Sequence, residues 1–268
     1  MDWLQALQDL RSAGLPSVLA TVTEARGHAP REAGAKMVVG TEATWGSIGG
    51  GNLEATVIDR ARARLRAGST VPESLPFPLN EHAATEHGQQ CCGGVVTVLL
   101  EPFPACATVA IFGMGHVGHE LARILSRLPL QLHLVDSRAG QLDPTQLTDI
   151  LGGPAEVHPQ HSPVPDSILG TLPPGSHVFI MTHDHAEDFL LCDAALRRGN
   201  LGSVGLIGSS AKWSRFRQKL QAEGHDSHAI DTISCPIGLA GLPGKDPAAI
   251  AVSAAASLLP ALSKHLAV

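Results

Sequence analysis

Thr108-Val109-Ala110-Ile111-Phe112-Gly113-Met114-Gly115-His116-Val117-Gly118 decides the fold. A short apolar run enters G-x-G-x-x-G, and an apolar helical period follows at Val117, Leu121, Ile124 and Leu125. A second apolar run ends in Asp136, 23 residues after Gly113. Each position has a physical task in a strand–turn–helix that holds a dinucleotide. Gly113 permits the tight turn, Gly115 lets backbone approach a pyrophosphate, and Gly118 lets helix and strand pack closely. The helix start, opened by His116, offers N–H groups and the positive end of its dipole to phosphate. An acid at Asp136 is expected to accept hydrogen bonds from a ribose and to repel a 2′-phosphate. Two readings stay open: a nucleotide site, or a glycine turn in a Rossmann-like domain that binds none.

Outward from this stretch, apolar strands alternate with helices. Strands are expected at 108–112, 131–135, 177–182 and 204–207, and helices near 116–127, 186–198, 210–223 and 247–263. That alternation predicts an α/β fold, a doubly wound parallel sheet with helices on both faces. Upstream, the pattern gives a helix at 3–13 with Trp3, Leu4, Leu7 and Leu10 inward, strands at 17–23 and 35–39, and a helix at 52–66. This half reads as a smaller mixed α/β domain. Pro102 and Pro104 suggest linker punctuation, so the domains are drawn as 1–103 and 104–268.

Composition narrows the function classes. The 19 basic residues are outnumbered by 25 acidic ones, and Arg60, Arg62, Arg64 and Arg66 do not form one stripe. No nucleic-acid partner is expected. The N-terminal stretch reads as a helix, not a signal peptide, and the Ala-rich stretch 248–262 is short for a span, so no membrane partner is expected. Five Cys, two of them adjacent, fit a reducing compartment, and the expectation is a cytoplasmic protein.

Several polar clusters stand where ligands bind in such sheets. His183, Asp184 and His185 follow a strand and read either as a metal site or as a helix cap with polar loop residues. Ser209 and Lys212 follow another, as an anion site or as a Ser cap with a solvated Lys. In the first half, Gly49, Gly50 and Gly51 lead into Asn52, a residue able to cap the helix, and can turn N–H groups toward an anion. Arg31 and Lys36 could add charge. Cys91 and Cys92 precede Gly93-Gly94, a setting for an exposed thiol or a soft-metal ligand. Cys106 and Cys192 read as core or linker residues.

In order along nearly the whole chain, several segments resemble the XdhC/CoxI family of accessory proteins for molybdenum hydroxylases. They are 27–37, 46–54 and 90–94, then 112–118, 182–185, 205–209 and 236–239. The resemblance implies a chaperone, not an enzyme in its own right. It would bind the molybdenum cofactor, a phosphate-bearing pterin dithiolene, as molybdopterin or its dinucleotide form. It would support sulfuration and deliver the cofactor to a molybdenum hydroxylase of the xanthine dehydrogenase type. A cysteine desulfurase as sulfur source and a homodimer are further partners under this reading. Binding would involve the glycine turns, the clusters above and the two adjacent thiols, with Cys91 or Cys92 touching the metal, in a crevice that shields the ligand. The alternative from the residues alone is an NAD-dependent oxidoreductase, although no Tyr is present for a Tyr/Lys acid–base pair. A metal-dependent hydrolase using His183, Asp184 and His185 is a third.

Overall fold

The structure is a computed structural model that describes residues 2–79, 94–239, 241 and 245–266. The described residues divide into two compact units, one ending at Cys106 and the other running over Ala107–Leu266.

In the first unit, α1 (Trp3–Ser12) precedes β1 (Ser17–Arg26), β2 (Lys36–Val39) and β3 (Thr44–Gly46). Then come α2 (Gly51–Arg66), β4 (Glu73–Pro78) and β5 (Val95–Phe103). The strands form an antiparallel sheet in the order β3-β2-β1-β5-β4. Alternate residues face opposite sides. Val18, Ala20, Val22, Met37 and Val39 pack with Leu53, Val57 and Ala61 of α2. On the other side Lys36 Nζ bonds Thr21 Oγ1 at 3.0 Å and lies 5.6 Å from the Trp3 ring of α1. Burial on α1 falls on Ala6, with Trp3, Leu7 and Leu10 partly covered, whereas Leu4 is exposed. Of the two expected linker prolines, Pro104 lies in the connection between Phe103 and Thr108, whereas Pro102 does not. Pro102 lies inside β5, opposite Val18 of β1. Pairing with β4 stops at Leu100, so beyond that point one side of β5 is an edge, where proline is tolerated.

The second unit runs β6 (Thr108–Phe112), α3 (His116–Leu125), β7 (Gln131–Asp136), β8 (Glu156–His161), α4 (Pro165–Thr171) and β9 (His177–Ile180). It continues with α5 (His185–Arg198), β10 (Ser203–Leu206), α6 (Ser210–Ala222), α7 (Ser227–Ile230), β11 (Ile233–Ser234) and α8 (Pro247–Leu266). All six strands are parallel, in the order β8-β7-β6-β9-β10-β11. The chain starts at β6, moves outward to β8, returns to β9 beside β6, and moves outward the other way. The strand order therefore reverses between β6 and β9, the point where ligands enter such sheets. Every residue of β6 is buried because both faces are covered. Val109 and Ile111 pack with Leu121 and Leu125 of α3 and Ala251, Ala254 and Leu258 of α8. Ala110 and Phe112 pack with Leu169 of α4, Leu191 of α5 and Phe216 of α6.

The glycines of the β6–α3 turn separate by task. A Cβ on Gly113, where φ is +104°, would strike the Met181 carbonyl, and one on Gly118 would strike the Gly113 carbonyl. Gly115 has nothing within 4 Å of the place its Cβ would occupy. Gly118→Ala should therefore cost about 1–3 kcal/mol, and Gly115→Ala less than about 1 kcal/mol. Urea unfolding followed by circular dichroism checks the contrast. Equal midpoints for the two variants would contradict it.

Candidate functional site

The C-terminal ends of β6, β7, β9 and β10 bring most of the sequence-selected residues of the second unit to one edge of the sheet. After β6, Gly113 is held by its N–H bonding the Val135 carbonyl at 2.8 Å, and Gly115 is the N-cap of α3 with no side-chain cap. The first N–H groups of α3 are thus left uncapped by any side chain, next to the open space at Gly115. His116 is exposed at this helix start. It lines a surface pocket of about 340 Å³ with His119, Glu120, Asp246, Pro247 and Ala248, where α8 begins.

Asp136 ends β7 and is buried. Its Oδ2 accepts from Met114 N at 2.7 Å and Arg138 Nη2 at 2.9 Å, and its Oδ1 accepts from Arg138 N at 2.8 Å and Arg138 Nε at 2.9 Å. Burial pushes the pKa up. The Arg138 side chain and the two backbone N–H groups outweigh it and hold the carboxyl below its ordinary value. This differs from the ribose-acceptor role expected of Asp136, because the carboxylate is already used to fasten the glycine loop. Beside it, Ser137 Oγ donates to Glu187 Oε2 at 2.9 Å.

At the ends of β9 and β10 the central group is Asp188, fully buried in the first turn of α5. Its Oδ1 accepts from Thr182 N and Thr182 Oγ1, at 2.9 and 2.8 Å. Its Oδ2 accepts from Lys212 Nζ at 2.5 Å, and the same ammonium donates to the Ile207 carbonyl at 3.0 Å. Lys212 is therefore a buried brace between the two strand ends, not the solvated Lys of the cap reading. Ser209 caps α6 through Lys212 N, and Asp184 caps α5 through Ala186 N. His183 and His185 are exposed, and His185 Nδ1 stands 3.9 Å from Asp188 Oδ2. Among the described residues no three His, Cys, Asp or Glu side chains are grouped so as to hold a metal. The sequence signal for Asp188 is an acid one helical turn past Asp184, within a polar cluster that reads equally as a metal site or as a helix cap.

Cys235, half-buried after β11, lies 3.8 Å from the Gly208 carbonyl, and burial pushes its thiol up to about 11. Burial raises the Cys192 thiol further. Both are protonated at neutral pH. Cys91 and Cys92 lie outside the described residues.

In the first unit the glycine turn is occupied by its own chain. Glu54 Oε2 accepts from Ser47 Oγ at 2.8 Å, Ile48 N at 3.2 Å and Gly50 N at 2.9 Å. The N-cap of α2 is Gly50 without a side-chain cap, and Asn52 is buried inside the first turn instead of capping it. Gly50 and Gly51 face open space, while a Cβ on Gly49 would come within 2.6 Å of Pro30 and 3.7 Å of the exposed Arg31. Lys36 is engaged with Thr21 and Trp3. A Cβ on Gly94 would lie 2.6 Å from the Arg26 and His28 carbonyls, so the chain re-enters the described structure beside the 26–31 loop.

Two outcomes test these bonds. Lys212→Met should lower stability by about 3–5 kcal/mol because it leaves the Asp188 charge buried alone. Adding Asp188→Asn should recover most of that loss, as read from urea midpoints; a double variant no better than the single would refute the pairing. For Asp136 the folded pKa is depressed. Its contribution is full above the ordinary carboxylate value of about 3.9 and is lost as pH falls through the folded value. The stability gap between the wild type and Asp136→Asn should hold near neutrality and close below about pH 4.

Comparison with known proteins agrees with the architecture. Residues 109–258 match the XdhC Rossmann domain, and residues 10–74 match the XdhC and CoxI family. A curated relative, the uncharacterized protein YqeB of Escherichia coli (strain K12), is 23% identical over 252 residues, 93% of this chain. The chain spans 44% of that relative's length. A crystal structure of a xanthine dehydrogenase from Bacillus halodurans superposes with a TM-score of 0.50 at 19% identity, covering 98% of this chain and 96% of that one. With the glycine loop and reversed strand order inside a match that spans more than half of its length, the protein belongs to the XdhC and CoxI family.

Proposed function

We propose that this chain is a maturation factor that binds the molybdenum cofactor, supports its sulfuration and delivers it to a molybdenum hydroxylase of the xanthine dehydrogenase type. The observation that carries the reading is the family match in both halves, over 10–74 and 109–258. The chemistry of the described residues is compatible with the phosphate end of such a ligand. The uncapped N–H groups of α3 open onto the space at Gly115, where the sheet order reverses. The bound cofactor would supply the soft metal and its sulfur ligands. For that end the proposal rests on Cys91 and Cys92, which the sequence places three and two residues before Gly94. The protonated Cys192 and Cys235 thiols are poorer candidates, since the thiolate is the metal-binding form.

The test is anaerobic isolation from a molybdenum-replete host, with bound molybdenum, pterin and nucleotide assayed together. Pterin and molybdenum in equal amount are expected, and added nucleotide would mark the dinucleotide form. NAD without pterin would overturn the proposal in favour of an oxidoreductase. A Cys91→Ala/Cys92→Ala variant should keep its circular dichroism spectrum and fail to activate a cofactor-free hydroxylase. Full activation by that variant would remove the thiols from the mechanism.

A further inference from the structure

Asp136 and Arg138 determine what a ligand meets at the end of β7. An ionised carboxylate has about four lone-pair positions. All four on Asp136 are matched by donors from its own chain, and the residue is 1% exposed. A ribose diol seeking this carboxylate would have to displace Arg138, or release Met114 and with it the glycine loop. Arg138, in contrast, has a side chain that is 37% exposed. Its Nε and Nη2 edge faces Asp136, which turns the Nη1 edge of the planar fork away from it. The opposing charge nearby is Glu187, one of whose oxygens is held by Ser137 Oγ.

We propose that Arg138 sets the specificity of this crevice by receiving a phosphate-class anion where a site of the NAD type would receive a ribose diol. The proposal rests on the reading that the strand-end crevice holds the ligand. It departs from the NAD preference expected from an acid at position 136.

Two probes that differ by one phosphate test it: adenosine 5′-monophosphate and adenosine 2′,5′-bisphosphate, titrated calorimetrically into the full chain. The bisphosphate should bind about tenfold or more tighter, the worth of a charged hydrogen bond. Arg138→Gln should bring the ratio of the two affinities to about one, whatever its effect on the affinity for the monophosphate itself. Arg138→Lys, which keeps a cation, should retain part of it even if the Asp136 bonds loosen. Gly115→Val should weaken both probes by filling the open space beside α3. Equal affinities, a preference for the monophosphate, or a preference that survives Arg138→Gln would overturn the assignment. So would failure of the bisphosphate to bind at millimolar concentration. That last result would leave the cofactor reading standing, because the molybdenum and pterin content of the isolated protein decides it separately.

Discussion

A backbone N–H that turns away from its strand must find an acceptor, and at three loops of this protein it finds a carboxylate from the same chain. Asp136 takes the Met114 N–H, Asp188 takes the Thr182 N–H, and Glu54 takes those of Ile48 and Gly50. Each loop follows a strand and leads to or faces a helix start, where unsatisfied donors accumulate. A buried donor left without a partner costs about 1–3 kcal/mol, so these bonds hold the loops in one conformation. Two of the carboxylates are matched by cations, Arg138 and Lys212, which keeps their charge tolerable under burial.

The parts of the fold legible in the sequence are those buried on both faces. β6 and β7 read as apolar runs because helices cover both sides of the parallel sheet, and G-x-G-x-x-G fixed the turn between β6 and α3. What escaped was at the margins. β8, Glu-Val-His-Pro-Gln-His over 156–161, is the edge strand of its sheet and carries polar residues and a proline for that reason. β4 hides Pro76 and Pro78 on the edge of the other sheet. β11 has two residues, too few for any period to show. Leu4 fits a helical repeat but sits just off the face that Trp3, Ala6, Leu7 and Leu10 turn inward.

The candidate site was legible in place more than in role. The glycine turns and the strand-end clusters were found, yet the residues that fasten them were assigned to ligands or to solvent. An acid at 136 suggests a ribose acceptor, and a Lys at 212 an anion ligand or a solvated side chain. Acids, amides and lysines make the same bonds to a backbone loop as to a bound molecule, and a linear sequence does not show which partner is nearer. Asp188 and Glu54 stand inside recognisable motifs, but the backbone N–H groups they hold belong to residues of any type, so the sequence does not show that they complete two of the loops.

Glycine separates the two roles where polar residues do not. At Gly113 and Gly118 a side chain would collide with backbone, so these positions are explained by packing whether or not a ligand binds. At Gly115 none of the described residues occupies the space, and the backbone there is extended with φ −75°, which any residue adopts. Among the described residues neither close packing nor backbone conformation requires glycine at 115. The open space lies beside the uncapped start of α3. The carboxylates close the loops on themselves, and Gly115 marks the part of the crevice they leave open.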